Sequence, residues 1–352
     1  MPGRIIHSKP TISSQDKKSV LKTLNTGFVG QGKQVDKVNS FFCSLFEKET
    51  SFFVNSGTSA FFLALKGLDI NEGEEVILPN YFCGSIYAQV KSINAIPVVV
   101  DTIAGSFFVS PETVLRAITP KTKAIVMNHP FGHFEPAVFE LKKAGVPIIE
   151  DTTHSLFARQ GKVVAGSVAD ITIASFGSTK FITSGTGGIL SFLSKAHANE
   201  VEKLLDHDYN KFPASEKEIR FNHKLGDVNA ALLMSKFKQI EYLIKKRIEI
   251  ARKYYAQLEW PTYPADFREG SVYFRFFIRA KKDKANNIRE QLREKSIDSA
   301  QGALRLISRT FSLTKAFPES EKIWSELISI PIYPTLKAPE VNRILKIVNA
   351  LR

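Results

Sequence analysis

Six short apolar runs, rich in β-branched residues, occupy positions 51–54, 75–78, 97–100, 124–127, 147–149 and 171–174. Most close on a proline or a polar residue: Asn55, Pro79, Asp101, Asp151 or Ser175. Stretches at 60–68, 84–93, 111–117 and 134–143 lie between them, with apolar residues at helical spacing. Strands with almost no polar residues must be covered on both faces, and helical crossovers are what cover them. The pattern therefore predicts an α/β fold with a mostly parallel sheet.

Two further helices, 14–26 and 35–48, precede this region and flank a Gly-rich turn at 27–32. After about Ala230 the pattern changes to a long amphipathic helix (229–258), a strand (272–278) and helices at 284–295 and 339–351. That order reads as a smaller α+β domain hinged on the long helix. The expected division is a large cofactor-binding domain over residues 1–235 and a C-terminal domain over 236–352.

The net charge of +13 favours anionic partners, but the basic residues are scattered. Their densest cluster, between Lys238 and Lys253, alternates with Ile, Leu and Tyr and reads as the solvated face of a helix rather than a nucleic-acid surface. Cys43 and Cys83 form no CxxC pair, which leaves no disulfide framework or thiolate metal site. No apolar run approaches membrane-spanning length, and the N-terminal residues lack a signal-peptide core. A cytoplasmic protein is expected, without nucleic-acid or membrane partners.

In open α/β sheets ligands sit beyond the carboxyl ends of the strands. Asn55-Ser56-Gly57-Thr58-Ser59 lies between a strand and a helix, where small residues and first-turn N–H groups form either a phosphate cup or a plain N-cap. Asp151 follows a strand at the same edge, and His154 is three residues on. His129 and His133 have the spacing of a zinc pair, but Pro130 and Gly132 argue against the helix such a pair needs, so no metal is expected. Lys180 sits in a Gly-rich stretch, SFGSTKFITSGTGG, between two strands, with Ser175 before it. A lysine within reach of a phosphate cup and a carboxylate suits pyridoxal 5'-phosphate, because condensation with an aldehyde makes a protonated amine useful.

The ordered segments NSGTSAFFLAL (55–65), EVILPNYFC (75–83), IPVVVD (96–101), ITPKTKAIVMNHPFG (118–132), IIEDTTHS (148–155), SFGSTKFITSGTGG (175–188), FNHKLGDVNAALLMSKF (221–237) and SIPIYPTL (329–336) cover nearly the whole chain. Together they resemble the DegT/DnrJ/EryC1/StrS sugar aminotransferases. The resemblance implies a three-layer fold type I large domain with a smaller C-terminal domain, and pyridoxal phosphate as cofactor. By motif, Lys180 anchors the cofactor and shuttles a proton, Asp151 pairs with the pyridinium nitrogen, and His154 lies near the ring. Gly57, Thr58, Ser59 and Ser175 correspond to the phosphate site, and Asn222 reaches the cofactor of a neighbouring subunit in a homodimer.

Some positions depart from the family pattern. Cys83 stands where many relatives stack an aromatic ring on the cofactor, with Tyr81 and Phe82 as nearby substitutes. Gly177, Thr186 and His223-Lys224 replace the usual His, Glu and Tyr-Arg. The implied activity is amino transfer from glutamate to a keto sugar, nucleotide-linked, in amino-sugar or surface-polysaccharide biosynthesis. The competing expectation is a regulatory protein that binds the cofactor without turnover.

Overall fold

The computed structural model describes residues 3–213 and 219–352. Its main sheet has seven strands, β1 (Thr50–Val54), β2 (Glu75–Pro79), β3 (Ile96–Val100), β4 (Thr122–Asn128), β5 (Ile148–Asp151), β8 (Ile171–Ser175) and β9 (Gly188–Phe192), in the order β1-β9-β8-β5-β4-β2-β3. The two-residue strands β6 (Arg159–Gln160) and β7 (Val163–Val164) form a separate hairpin. Only β9 runs against its neighbours, so β1, β2, β4, β5 and β8 all end at one edge. The expected α/β fold is what the chain adopts.

Helices α1 (Ser14–Leu24) and α2 (Lys33–Phe46) come first. They are followed by α3 (Gly57–Gly67), α4 (Gly84–Ser92), α5 (Pro111–Arg116), α6 (Val138–Leu141), α7 (Lys195–Leu205) and α8 (Asp227–Phe237). One core, containing Val38, Phe42, Ile125, Ile148 and Leu233, lies between one sheet face and the layer of α2, α6 and α8. The other, containing Ala60, Leu63, Val90, Val126 and Val201, lies under α3, α4 and α7. Three layers result.

The long C-terminal helix is in fact two, because the chain breaks at Lys238 and Gln239 between α8 and α9 (Ile240–Gln257). Gln239 Nε2 donates to Ser235 O and to the buried carboxylate of Asp16, which ties the break to α1. Residue 235 therefore lies two positions before the end of α8, whose Leu233 and Phe237 belong to the main core.

A four-stranded sheet follows, with β10 (Thr262–Tyr263), β11 (Phe276–Arg279), β12 (Ala300–Gln301) and β13 (Leu327–Ile330) in the order β10-β11-β13-β12. It packs with α9, α10 (Lys282–Glu294) and α13 (Ala338–Asn349), while α11 (Ile307–Phe311) and α12 (Pro318–Glu326) complete the helices. Ile5 bridges Ile297, so the N-terminal segment joins this C-terminal unit. Strand 272–278 is shorter than its sequence suggests, because Val272 and Arg275 give their N–H groups to Gly132 and Phe131 of the loop after β4. Helix 134–143 likewise contracts to α6 and a 3₁₀ turn at Lys142–Ala144.

Candidate active site

A cavity at the carboxyl edge of the main sheet is lined by Gly57, Thr58, Phe82, Cys83, Ser85, Ile86, Asn128, His129, Asp151, Thr153, His154, Ser175 and Lys180. It brings together residues from loops after β1, β2, β4, β5 and β8, as the topology of a parallel sheet dictates. Two expected residues lie elsewhere. Ser59 belongs to the cap of α3, where its N–H donates to Ser56 Oγ, and Asn222 is exposed on the loop before α8.

The cap leaves the Gly57 and Thr58 N–H groups at the first turn of α3, aimed outward as helix geometry requires. A Cβ on Gly57 would stand 2.6 Å from Ser175 Cβ, so only glycine allows the helix start and the end of β8 to close on one another. Ser175 N–H donates to Thr153 Oγ1 at 3.0 Å, and Thr153 N–H donates to Asp151 Oδ1 at 2.7 Å. A short chain of hydrogen bonds thus joins the end of β8, beside the start of α3, to the carboxylate.

Asp151 is 7% exposed. Burial pushes its carboxyl above the usual range, against hydrogen bonds from Thr153 and the charge of Lys180. A protonated ring nitrogen is the kind of partner that would restore it as a carboxylate. Burial also lowers Lys180 from the usual lysine value, with Asp151 and Cys83 opposing and Arg275 reinforcing the shift. Lys180 Nζ lies 3.4 Å from His154 Nε2. The His154 ring stacks between Phe274, at 4.6 Å, and Phe131, at 5.5 Å, and burial holds it well below the usual histidine value.

Cys83 forms part of the wall, as the N-cap of α4, and its Sγ lies 3.2 Å from Ser85 Oγ. Tyr81 turns away, donating to Gly302 O and packing on Phe107 and Phe131, whereas Phe82 reaches the cavity. Asp101, another strand-end residue, accepts the Glu319 and Ser320 N–H groups at the start of α12 and is not part of the wall of this cavity. His133 pairs with Ser271, while His129 contacts Glu150 at 2.8 Å and accepts the Glu135 N–H on its other nitrogen. The two rings therefore face different partners. Asn128 and His129 escaped the sequence reading as cavity residues, although their place at the end of β4 and just after it follows the same strand-end rule.

An anion cradle, a buried carboxyl and a lysine amine around one cavity fit pyridoxal 5'-phosphate. The sequence profile of the DegT/DnrJ/EryC1/StrS aminotransferase family matches residues 10–349. The chain belongs to that family. It is accordingly a pyridoxal phosphate-dependent aminotransferase.

Among proteins similar to this aminotransferase is the uncharacterized protein MJ1066 of Methanocaldococcus jannaschii, 26% identical over 98% of this chain and 96% of the relative. In fold it is similar to the aminotransferase TlmJ of Streptoalloteichus hindustanus, with a TM-score of 0.91, 21% identity and 99% of both chains covered. PseC of Helicobacter pylori, an aminotransferase involved in the biosynthesis of pseudoaminic acid, aligns with a TM-score of 0.89, 21% identity and 99% of both chains covered. The PLP form of the putative sugar aminotransferase Spr1654 of Streptococcus pneumoniae aligns at 0.89, with 21% identity over 99% of this chain and 98% of that one.

Proposed function

We propose that this aminotransferase moves an amino group from glutamate to a keto sugar carried on a nucleoside diphosphate, in amino-sugar biosynthesis. The observation that carries the reading is the convergence of Gly57, Thr58, Asp151, His154, Ser175 and Lys180 on one cavity. The net charge of +13 suits a pyrophosphate-bearing substrate, and solved structures of the same fold include Spr1654, described as a putative sugar aminotransferase, and PseC, an aminotransferase involved in the biosynthesis of pseudoaminic acid.

Bound pyridoxal phosphate supplies an aldehyde carbon and an electron-withdrawing ring. Gly57, Thr58 and Ser175 hold the phosphate with backbone N–H groups and a hydroxyl. Asp151 keeps a proton on the ring nitrogen, which requires it to be ionised, and the positive ring offsets the burial that otherwise raises its pKa. Lys180 anchors the cofactor and, once released, moves a proton at the substrate carbon, a task eased by its lowered pKa. His154, neutral and fixed between two phenylalanine rings, would hold the cofactor beside the Lys180 amine, and Cys83 would form part of the wall around it.

Asn222 is exposed, as a residue must be to reach a second subunit, and we assign the working form as a homodimer with a shared site. Among the described residues no helix is long and apolar enough to cross a membrane, and a cytoplasmic setting accords with the two free cysteines. The test is spectroscopic. The purified protein should take up pyridoxal phosphate with a visible absorbance that L-glutamate bleaches and a nucleotide-linked keto sugar restores. Uptake without bleaching by any amino acid would leave a cofactor-binding protein without turnover.

A further inference from the structure

Helix α10 turns Ala285, Ile288 and Leu292 into the core of the C-terminal unit. Its adjoining face carries Asn286, Arg289, Glu290 and Arg293, whose spacing sets them in one stripe. On an ordinary solvated helix such a stripe would face open water. Here it lines a cavity of about 460 Å³, with Arg4, His7 and the residues just before β12, Asp298 and Ser299, completing the wall. This cavity shares no lining residue with the one at Lys180.

The wall is fixed by contacts of its own. Ile5 N–H donates to Ser296 O and Asp298 N–H donates to Ile5 O, both at 2.9 Å, so the N-terminal segment pairs with residues 296–298. Arg343 donates through Nη1 to Gly3 O and through Nη2 to Lys295 O, which ties that segment to the end of α10. Arg4 Nε meets Asp298 Oδ1 at 2.8 Å and so engages one of the two carboxylates of the cavity. His7 adds no charge at neutral pH, since burial lowers its ring to about 3 and its Nε2 pairs with Ser329 Oγ at 2.8 Å.

The other two guanidiniums lack a counter-charge. Among the described residues neither Arg289 nor Arg293 forms an ion pair, and Glu290 joins neither of them. Arg289 Nη1 makes two long hydrogen bonds, 3.3 Å each, to the amide oxygens of Asn286 and Gln301, and its Nε is buried without a partner. The Arg293 side chain makes no hydrogen bond to any described residue. A guanidinium offers five donors in a planar fork that matches carboxylate or phosphate oxygens. Residues four apart on a helix hold their Cβ atoms about 5–6 Å apart. One carboxylate fills one fork, whereas a diphosphate spreads its oxygens over two phosphorus centres and can meet both. The cavity also exceeds what an inorganic anion needs and falls within the range of small-molecule sites, about 300–1,000 Å³.

We propose that this cavity binds the diphosphate group of a small molecule, with Arg289 and Arg293 as its anion-binding residues and Glu290 opposing them. It is a second ligand site of the chain, carried by the C-terminal unit, and it does not depend on the amino-transfer reading above.

The test is calorimetric, with pyrophosphate as the probe and the pyridoxal phosphate-loaded protein as the receptor, so that the cradle at Gly57 is already filled. One pyrophosphate should bind per chain, more tightly than inorganic phosphate and far more tightly than succinate. Arg289→Gln and Arg293→Gln should each raise Kd about 10-fold, with cofactor uptake at the wild-type level. Glu290→Gln should lower Kd about 2- to 3-fold by removing a like charge, a gain that no folding defect can produce. Absence of pyrophosphate binding to the wild type would overturn the proposal. So would binding that all three variants leave unchanged, which would put the anion in the catalytic cavity, or succinate binding as tight as that of pyrophosphate, which would make this a carboxylate site.

Discussion

The Lys180 amine and the His154 imidazole face one another at 3.4 Å, and burial lowers the proton affinity of both. Condensation of the apo protein with pyridoxal phosphate requires the free amine. Its rate should rise with pH through a midpoint below the ordinary lysine value of 10.5, with no inflection from His154 near 6.5. Stopped-flow absorbance across pH 5 to 10 measures this, and a His154 inflection near 6.5 would contradict the buried, stacked geometry. Lys180→Ala should abolish the imine absorbance, leaving only that of the free aldehyde.

Gly57→Ala should weaken cofactor binding about 10-fold or more, since the added Cβ collides with Ser175 Cβ and opens the cradle. Pyridoxal lacking the phosphate should be affected much less. Equal losses for the two ligands in a fluorescence titration would remove Gly57 from the phosphate site.

Lys236 and Asp16 form a buried ion pair between α8 and α1, with Ser13, Ser235 and Gln239 also donating to Asp16. Burial alone would raise the Asp16 carboxyl, and Lys236 together with Ser13 and Ser235 brings it below the usual range. Lys236→Met leaves that charge unpaired and should cost about 3–5 kcal/mol in urea unfolding. The double variant with Asp16→Asn should recover part of the loss.

Glu135 is buried behind the site, where its carboxyl accepts the Val109 and Ala137 N–H groups, and burial pushes it up to about 8. Between 4.5 and about 8 the folded protein holds a proton that the unfolded chain has lost. The Glu135 contribution to stability is therefore complete below pH 4.5 and lost as the pH rises through 8. Glu135→Gln should flatten that decline and leave the variant more stable than wild type at pH 9, on the order of 1–3 kcal/mol by thermal or urea unfolding.

The main sheet is legible in the sequence because strands covered on both faces must be apolar throughout, so β2, β4 and β8 stand out without any partner being known. Asp151 and Ser175 are legible as candidates for a related reason, since a polar residue ending such a strand stands at the carboxyl edge of the sheet, and Lys180 follows in the loop after β8. The break between α8 and α9 is not. Both sides have good helical periodicity, and the interruption comes from Gln239 reaching Asp16, more than two hundred residues earlier. Asp101 obeys the strand-end rule and still serves α12. Arg275 is hidden for the opposite reason. Within VYFRFFIR an arginine reads as the solvent-facing position of a strand, whereas Arg275 is buried and, among the described residues, forms no ion pair, which emerges only in three dimensions.

Glu150 and Asp151 are consecutive carboxylates at the end of β5, and strand geometry sends them to opposite sides. Asp151 faces the cavity. Glu150 takes the His129 ring and the N–H groups of Gly166, Val168 and Ala169, and these hydrogen bonds outweigh burial to hold its carboxyl low. A single-residue insertion or deletion in β5 would exchange the two, stranding one charge in the core and removing the other from the cavity. Length variation among descendants of this chain is consequently barred from β5 and left to the loops, where a new substrate can be accommodated while the carboxylate register stays fixed.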